Sequence, residues 1–225
     1  MRELTTSITT SSICEYLTKQ LDTFFPDENN INKDSLLEIV KSAINNIEIC
    51  FSKIVSPYYI NNKNSYFNHL NGDHYSSFLY QVSRSAYLND EMDIANKTFL
   101  LNKLLFGIDV FYTVDLPKHY IFVHPIGTIL GSGAIYSNYF VVYQGVTIGS
   151  NHDGIYPKFS NKTILFSNSS VIGNSMLGEN FILGAKSSVI HTDIGQNKVV
   201  VGNFPNNNIL NNGNNGIYKY FCLEE

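Results

Sequence analysis

The stretch from residue 123 to residue 149, VHPIGTILGSGAIYSNYFVVYQGVTIG, carries a histidine near its start that could act as a base. An imidazole has an ordinary pKa of about 6.5, which suits it to take a proton from a hydroxyl near neutral pH. His124 precedes a proline, and a lone histidine in that setting is more often a surface or strand-end residue. Its chemistry therefore depends on the architecture that surrounds it.

The chain around and after His124 repeats with a period of six. Apolar residues recur at every sixth position in two runs. The first run is Leu130, Tyr136, Val142 and Ile148, and the second, after the irregular segment SNHDGIYPKFSNKT, is Leu165, Val171, Leu177, Leu183 and Val189. Hairpin strands would need turn signals every 8–12 residues or so, and these runs lack them. A six-residue period with small turn residues is typical of a β-helix, in which three short strands form one coil. Each coil can bury its apolar residues only against its neighbours.

The first hundred residues have a helical period instead. KDSLLEIVKSAINNIEICFSKI places apolar residues at i, i+3 and i+4, with Ser35 and Glu38 as a capping box. Three further helices are expected over about residues 11 to 25, in GDHYSSFLYQVSRSAYL and in NDEMDIANKTFLLNKLLFG, the last closed by Gly107. Residues 55 to 72 are expected to form a long loop. The predicted class is α + β, with a helical N-terminal domain (1–114), a parallel β-helix (115–206) and a loose C-terminal tail (207–225).

Composition excludes several classes of function. The net charge of −4 leaves no basic surface for nucleic acid. Cys14, Cys50 and Cys222 lie far apart, which favours reduced thiols, and no His/Asp cluster has the spacing of a metal site. The N-terminus lacks the apolar segment of a signal peptide, and no run of 18 apolar residues could span a membrane. We therefore expect a cytoplasmic protein that needs no metal.

The segment that begins at His124 resembles a known family. HPIGTILGSGAIYSNYFVVYQGVTIG is similar, without gaps, to the part of the hexapeptide-repeat acyltransferases of the serine acetyltransferase type that runs from the catalytic histidine to the turn QSVTLGG. Further on, YPKF resembles the family's HPKI, SSVIGNSMLGENFILGAKSSVI resembles its last two coils, and VVGNFPN resembles its GVPA closure. The resemblance covers residues 115 to 206.

The resemblance implies a fold, an assembly and a cosubstrate. The fold is a left-handed parallel β-helix, and the assembly is a homotrimer with the active site between subunits; a dimer of trimers stays open. The cosubstrate is acetyl-CoA, which lies along the coils with its pantetheine arm towards the histidine. Flat exposed faces on a short β-helix also favour a trimer.

The resemblance also implies roles for individual residues. His124 is the catalytic base, and Asp115 in TVDLP is its acidic partner, although the segment between them is about one hexapeptide shorter than in the family. Asp115 could instead cap the first β-turn. The residues expected to line the coenzyme groove are Gly149, Ser167, Gly184 and Ala185. Those expected to contact the acceptor are Gln144, Tyr156 and Asp73. Small residues are also what any β-helix corner needs, and Gln144 could serve as a hydrogen-bonding turn residue.

Departures from the family bear on the acceptor. The acidic residue that usually precedes the histidine is Val123, and the basic pair before PK is Ile155 and Tyr156. A zwitterionic amino acid needs a carboxylate for its ammonium group and a cation for its carboxylate. We therefore expect a hydroxyl of a sugar or surface polysaccharide as the acceptor. The alternative is L-serine, with a cation from Lys158, Arg84 or a neighbouring subunit. A non-catalytic β-helix that serves as an assembly subunit is a third hypothesis.

Overall fold

The computed structural model of the protein describes residues 2–29, 31–213 and 216–223. The N-terminal half of this part of the chain contains the four expected helices: α1 (Thr10–Phe24), α2 (Lys33–Phe51), α3 (Gly72–Leu88) and α4 (Met92–Phe106). They pack around α3, which contacts α2 and α4. Gly107 ends α4 in the left-handed conformation, as predicted, with φ of 62°.

The N-termini of α2 and α3 are capped in the same way. Asn32 accepts hydrogen bonds from the backbone N–H groups of Asp34 and Ser35, and Asn71 accepts them from those of Asp73 and His74. The capping box predicted for Ser35 and Glu38 is therefore wrong, because α2 begins two residues before Ser35 with asparagine as its cap.

The region predicted as a long loop, residues 55 to 72, is largely ordered secondary structure. It contains a 3₁₀ helix, η1 (Pro57–Tyr59), and a hairpin of strands β2 (Ile60–Asn61) and β3 (Asn64–Phe67). Strand β1 (Leu4–Thr6) pairs parallel with β3 and completes a three-stranded sheet. Asn62 and Lys63 close the hairpin with φ of 49° and 70°, the geometry of a tight two-residue turn. Tyr59 and Phe67 are buried and hold this segment against the helices.

The second half is a parallel β-helix with three faces. The first face consists of β5 (Tyr120–Val123), β7 (Phe140–Tyr143), β10 (Thr163–Leu165), β13 (Phe181–Leu183) and β15 (Lys198–Val201). The second face consists of β4 (Asp109–Val110), β6 (Ile129–Leu130), β8 (Thr147–Gly149), β11 (Ser170–Ile172) and β14 (Ser188–Ile190). The third face consists of β9 (Lys158–Phe159) and β12 (Met176–Leu177). The predicted fold class is confirmed. Strand β4 precedes the predicted domain boundary at residue 115 and pairs with β6.

The predicted six-residue period identifies the interior of the β-helix. All nine apolar hexad positions are at most 7% exposed. Leu165 pairs with Leu183 and Val171 with Val189, each three hexads apart in the sequence. The period is therefore confirmed as the repeat of a coil whose apolar residues are buried against those of the next coil.

The C-terminal segment is not the loose tail that its asparagines suggested. Strand β16 (Asn208–Asn211) pairs antiparallel with β15, and a 3₁₀ helix, η2 (Gly216–Lys219), follows. Ile217 and Phe221 are fully buried, and Phe221 forms a β-bridge with Ile54. The prediction was wrong because two apolar side chains are enough to fix the segment against the helical half.

Within the described ranges, none of the helices is both long enough and apolar enough to cross a lipid bilayer. The cytoplasmic location stays a prediction.

The packing of α4 against α3 can be tested with two adjacent leucines. Leu101 is fully buried, whereas Leu100 is 46% exposed. Leu101→Ala should lower the free energy of unfolding by about 2–5 kcal/mol because it leaves a cavity in the core. Leu100→Ala should change it by less than about 1 kcal/mol. Urea unfolding of both variants measures the difference, and equal effects would contradict this packing.

Candidate active site

A cavity of about 810 Å³ lies where the helical half meets the first coils of the β-helix. Its walls come from the start of α3, the segment of residues 55 to 59, the coil residues 121 to 126, Tyr143 and the C-terminal residues 219 to 220. Three of the lining side chains can carry charge near neutral pH: Asp73, His124 and Lys219. The cavity therefore brings a carboxylate, an imidazole and an ammonium group to the lining of one open pocket.

His124 lies at the corner that follows β5, in the left-handed conformation with φ of 48°. Histidine, like asparagine and aspartate, adopts this conformation more readily than most residues. Its backbone N–H donates to Asp73 Oδ1 at 3.0 Å, and its Nδ1 lies 3.8 Å from the same oxygen. The side chain is 75% exposed, so it is not a histidine with a structural role in the core.

Asp73 reaches His124 because the N-terminus of α3 points at the coil corner. It is the second residue of α3, two residues after the Asn71 cap, where the helix dipole favours a negative charge. Burial raises the pKa of Asp73, and the neighbouring His124 partly offsets this effect. The distance of 3.8 Å is longer than a hydrogen bond but within reach of an ion pair once the imidazole is protonated.

His74, the next residue of α3, fixes the start of this helix. Its Nδ1 accepts a hydrogen bond from the backbone N–H of Asn68 at 3.1 Å, and its ring packs 4.2 Å from that of Tyr59. Burial lowers the pKa of His74 to about 4, so the ring is neutral near pH 7. His74 thus packs as an uncharged ring beneath Asp73 and is not a second base.

Asp115 does not meet His124 within the chain. Its carboxylate pairs with Arg84 at 3.1 Å, in a separate cleft that also contains Lys118. Arg84 also donates to the carbonyl of Tyr112. The predicted pairing of Asp115 with His124 is therefore wrong within this chain, because Asp115 pairs with Arg84, eleven residues along α3 from Asp73. The acidic neighbour of His124 is Asp73.

Most of the residues predicted for the coenzyme groove share one edge of the β-helix with His124. The corners after β5, β7, β10 and β13 form a column, because each backbone N–H donates to a carbonyl of the coil before: Gly145 to Ile126 at 3.0 Å, Asn168 to Gln144 at 2.9 Å and Lys186 to Ser167 at 2.9 Å. Gln144, Ser167, Gly184 and Ala185 lie in this column. Gly149 does not, since it lies at the far end of β8.

Two of the residues predicted to contact the acceptor lie outside the cavity. The ring of Tyr156 packs directly over Gly131 and Gly133. The carbonyl of Gln144 accepts a corner hydrogen bond, while its side-chain oxygen is buried without a hydrogen-bond partner among the described residues. Asp73 is the one of the three that lines the cavity.

Sequence reasoning missed the residues that close the cavity on its C-terminal side. Tyr220 and Tyr143 share a hydrogen bond between their hydroxyl groups at 2.7 Å, and Lys219 lies beside them. Burial and this hydrogen bond raise the pKa of Tyr220. The available signal was the aromatic run IYKYF after the asparagines, which is too apolar for an unpacked tail.

No cluster of three or more His, Cys, Asp or Glu residues that could hold a metal ion occurs in the described part of the chain. The three cysteines carry free thiols, with Cys14 and Cys50 buried and Cys222 exposed.

Comparison with known proteins places these features in context. No family model matches the chain. The serine acetyltransferase of Synechococcus elongatus is 31% identical over 105 residues, which are 45% of this chain and 43% of that protein. The serine acetyltransferase of Bacillus licheniformis is 23% identical over 137 residues, 60% of this chain and 62% of that protein. The chain therefore matches less than two thirds of the length of either relative.

Solved structures extend the similarity to the whole fold. The serine acetyltransferase of Brucella abortus strain S19 superposes with a TM-score of 0.69 and is 14% identical in sequence. The match covers 90% of this chain and 83% of that structure. The serine acetyltransferase of Neisseria gonorrhoeae has a TM-score of 0.67 and is 19% identical, and the match covers 92% of this chain and 83% of that structure. Further structures contain the Brucella enzyme with coenzyme A and the Neisseria enzyme with serine. The resemblance to serine acetyltransferases is confirmed in sequence and in fold.

The partly buried carboxyl of Asp73 should affect stability in a pH-dependent way. Because its folded pKa is raised, its contribution to stability is fully present below its ordinary pKa of 3.8 and is lost as the pH rises through the folded pKa. Asp73→Asn, which keeps an uncharged oxygen at this position, should therefore gain stability relative to the natural protein as the pH rises from the ordinary pKa through the raised folded pKa.

Urea unfolding at several pH values measures this gain. Asp34→Asn is the matched control, because Asp34 is also the second residue of a helix capped by asparagine but is exposed. It should show no such rise with pH. The same pH dependence in both variants would contradict the assignment of Asp73 as a buried charge.

Proposed function

We propose that this protein is an acetyl-CoA-dependent acyltransferase that transfers an acetyl group to the hydroxyl of L-serine. The observation that carries the proposal is the contact of Asp73 with His124 at the mouth of the cavity, in a chain with the fold of serine acetyltransferases. An exposed imidazole beside a carboxylate is the arrangement that general base catalysis on a hydroxyl requires.

The residues suggest the following reaction. His124 accepts the proton of the serine hydroxyl as the oxygen attacks the thioester carbonyl of acetyl-CoA. The new C–O bond forms, the C–S bond breaks, and the imidazolium returns its proton to the leaving CoA thiolate. Asp73 stabilises the imidazolium in between, which a neutral neighbour could not do.

The transfer is proposed to be direct, without an acyl-enzyme. Among the described residues, the side chain of His124 contacts the carboxylate of Asp73 rather than a serine hydroxyl or a cysteine thiol. A nucleophile for a covalent intermediate would have to lie within hydrogen-bond reach of the base.

The column of coil corners supports acetyl-CoA as the donor. Ser167, Gly184 and Ala185 present small or missing side chains along the edge that leads to the corner of His124. An extended pantetheine arm needs such a shallow, uncrowded track. The Brucella abortus neighbour with coenzyme A shows that this fold accommodates the molecule.

Two observations favour L-serine over the sugar acceptor that the sequence suggested. Val123, Ile155 and Tyr156 replace the family's charged residues, but Asp73 supplies a carboxylate from α3 that can take the ammonium group of an amino acid. The relatives and the neighbours are serine acetyltransferases. Of the cations considered for L-serine, Arg84 is bound to Asp115, and Lys158 does not line the cavity.

An uncharged hydroxyl acceptor is the second hypothesis. The rings of Tyr58, Tyr143 and Tyr220 line the cavity, and aromatic rings pack well against the faces of sugars. The non-catalytic assembly subunit would require that neither acceptor is acetylated.

The role of His124 can be tested by its removal. His124→Ala should lower kcat for L-serine-dependent release of the CoA thiol by about 10²–10⁴-fold, because the general base is lost. His191→Ala is the matched control, since His191 is also an exposed histidine after a coil strand, with φ of 47°, and does not line the cavity. Its kcat should stay within about twofold of the natural protein. Full activity of His124→Ala would overturn the mechanism.

We propose a homotrimer as the functional assembly and leave a dimer of trimers open. Aliphatic side chains are exposed on the coils: Ile129 (44%), Ile135 (52%) and Met176 (59%). Single exposed aliphatics are common, but several on the flat faces of one β-helix favour coverage by neighbouring subunits. Sedimentation velocity should give the mass of three or six chains. A monomer at micromolar concentration would contradict the proposal.

A further inference from the structure

The C-terminal residues 216 to 223 contribute Lys219 and Tyr220 to the wall of the cavity and are held in place from several sides. Ile217 and Phe221 are fully buried. The backbone N–H of Val55 donates to the carbonyl of Tyr220 at 2.9 Å, and that of Cys222 donates to the carbonyl of Lys53 at 2.7 Å. These bonds attach the segment to the end of the helical half.

A second attachment joins the same segment to the β-helix. The hydroxyl of Tyr220 is hydrogen-bonded to that of Tyr143, at the end of β7. The residues on either side of Lys219 are therefore fixed, even though its own side chain is exposed. The backbone at Lys219 thus has a defined place at the rim of the cavity.

Lys219 is distinguished by its lack of a partner. Of the described residues that line the cavity, it is the only lysine or arginine, and its ammonium group forms no ion pair or hydrogen bond with any described residue. Two other cations that do not line the cavity are already paired, Lys103 with Asp109 and Arg84 with Asp115. Among the described residues that line the cavity, the unpaired cation therefore lies in the C-terminal segment.

We propose that Lys219 binds the carboxylate of the acceptor and thereby selects an amino acid over a neutral alcohol. Asp73 Oδ1 contacts His124, while its Oδ2 forms no hydrogen bond within the described residues and can take the acceptor's ammonium group. With a cation on the C-terminal wall and a carboxylate on α3, the cavity matches the two charges of a zwitterion. This inference rests on the proposed function and adds a specificity-determining residue to it.

The test compares acceptors that differ only in the carboxylate. Lys219→Met should raise KM for L-serine about 10- to 100-fold, the range for the loss of a hydrogen-bonded ion pair, and should leave kcat within about twofold. KM for L-serinamide, which lacks the carboxylate, should be equal in Lys219→Met and in the natural protein. Lys219→Arg should restore most of the affinity for L-serine, because arginine also binds carboxylates.

Lys41→Met is the matched control, since Lys41 is an exposed lysine on α2 whose contact is with Glu38. Its KM for both acceptors should not change. A structural role of Lys219 would alter both acceptors alike, and that result would overturn the inference. An unchanged KM for L-serine in Lys219→Met would overturn it too and leave the proposed function intact. If the natural protein neither binds nor acetylates L-serine, the proposed function fails, and the inference fails with it.

Discussion

A coil of a β-helix can bury its apolar residues only against the coils on either side, and this constraint determines the rest of the structure. It forces the strands into register, as in the pairing of Leu165 with Leu183. Registered strands place their corners in a column, so that residues far apart in the sequence, such as Gln144 and Ser167, lie along one edge. At the first of these corners the chain turns outwards in the left-handed conformation, and the residue at that point is His124.

The β-helix alone does not make the site. The carboxylate comes from Asp73 at the start of α3, and the opposite wall comes from Lys219 and Tyr220 near the C-terminus. Both attachments depend on fully buried rings, the neutral imidazole of His74 on one side and Phe221 on the other. The cavity is thus formed by three parts of the chain that lie far apart in the sequence. Its charges follow from how these parts pack rather than from any short motif.

The periodic features of the structure could be predicted from the sequence, whereas the contacts between distant segments could not. The hexads predicted the coils, and the family resemblance pointed to His124, but neither predicted the left-handed corner at which it lies. The family resemblance predicted Asp115 as the partner of His124, but the carboxylate of Asp115 forms an ion pair with Arg84 in another cleft. Nothing local in the sequence reports that α3 folds back with Asp73 towards the corner. The many asparagines near the C-terminus predicted an unpacked tail, whereas a few buried side chains hold this segment in place.

We propose that this cavity activates the hydroxyl of L-serine towards acetyl-CoA. The most direct measurement is the release of CoA thiol by the purified natural protein with L-serine, with sugar nucleotides and with no acceptor, together with mass spectrometry of the product. The account predicts release that depends on L-serine and yields O-acetylserine. Release only with a sugar, or no release although coenzyme A binds, would contradict it and point to a different acceptor.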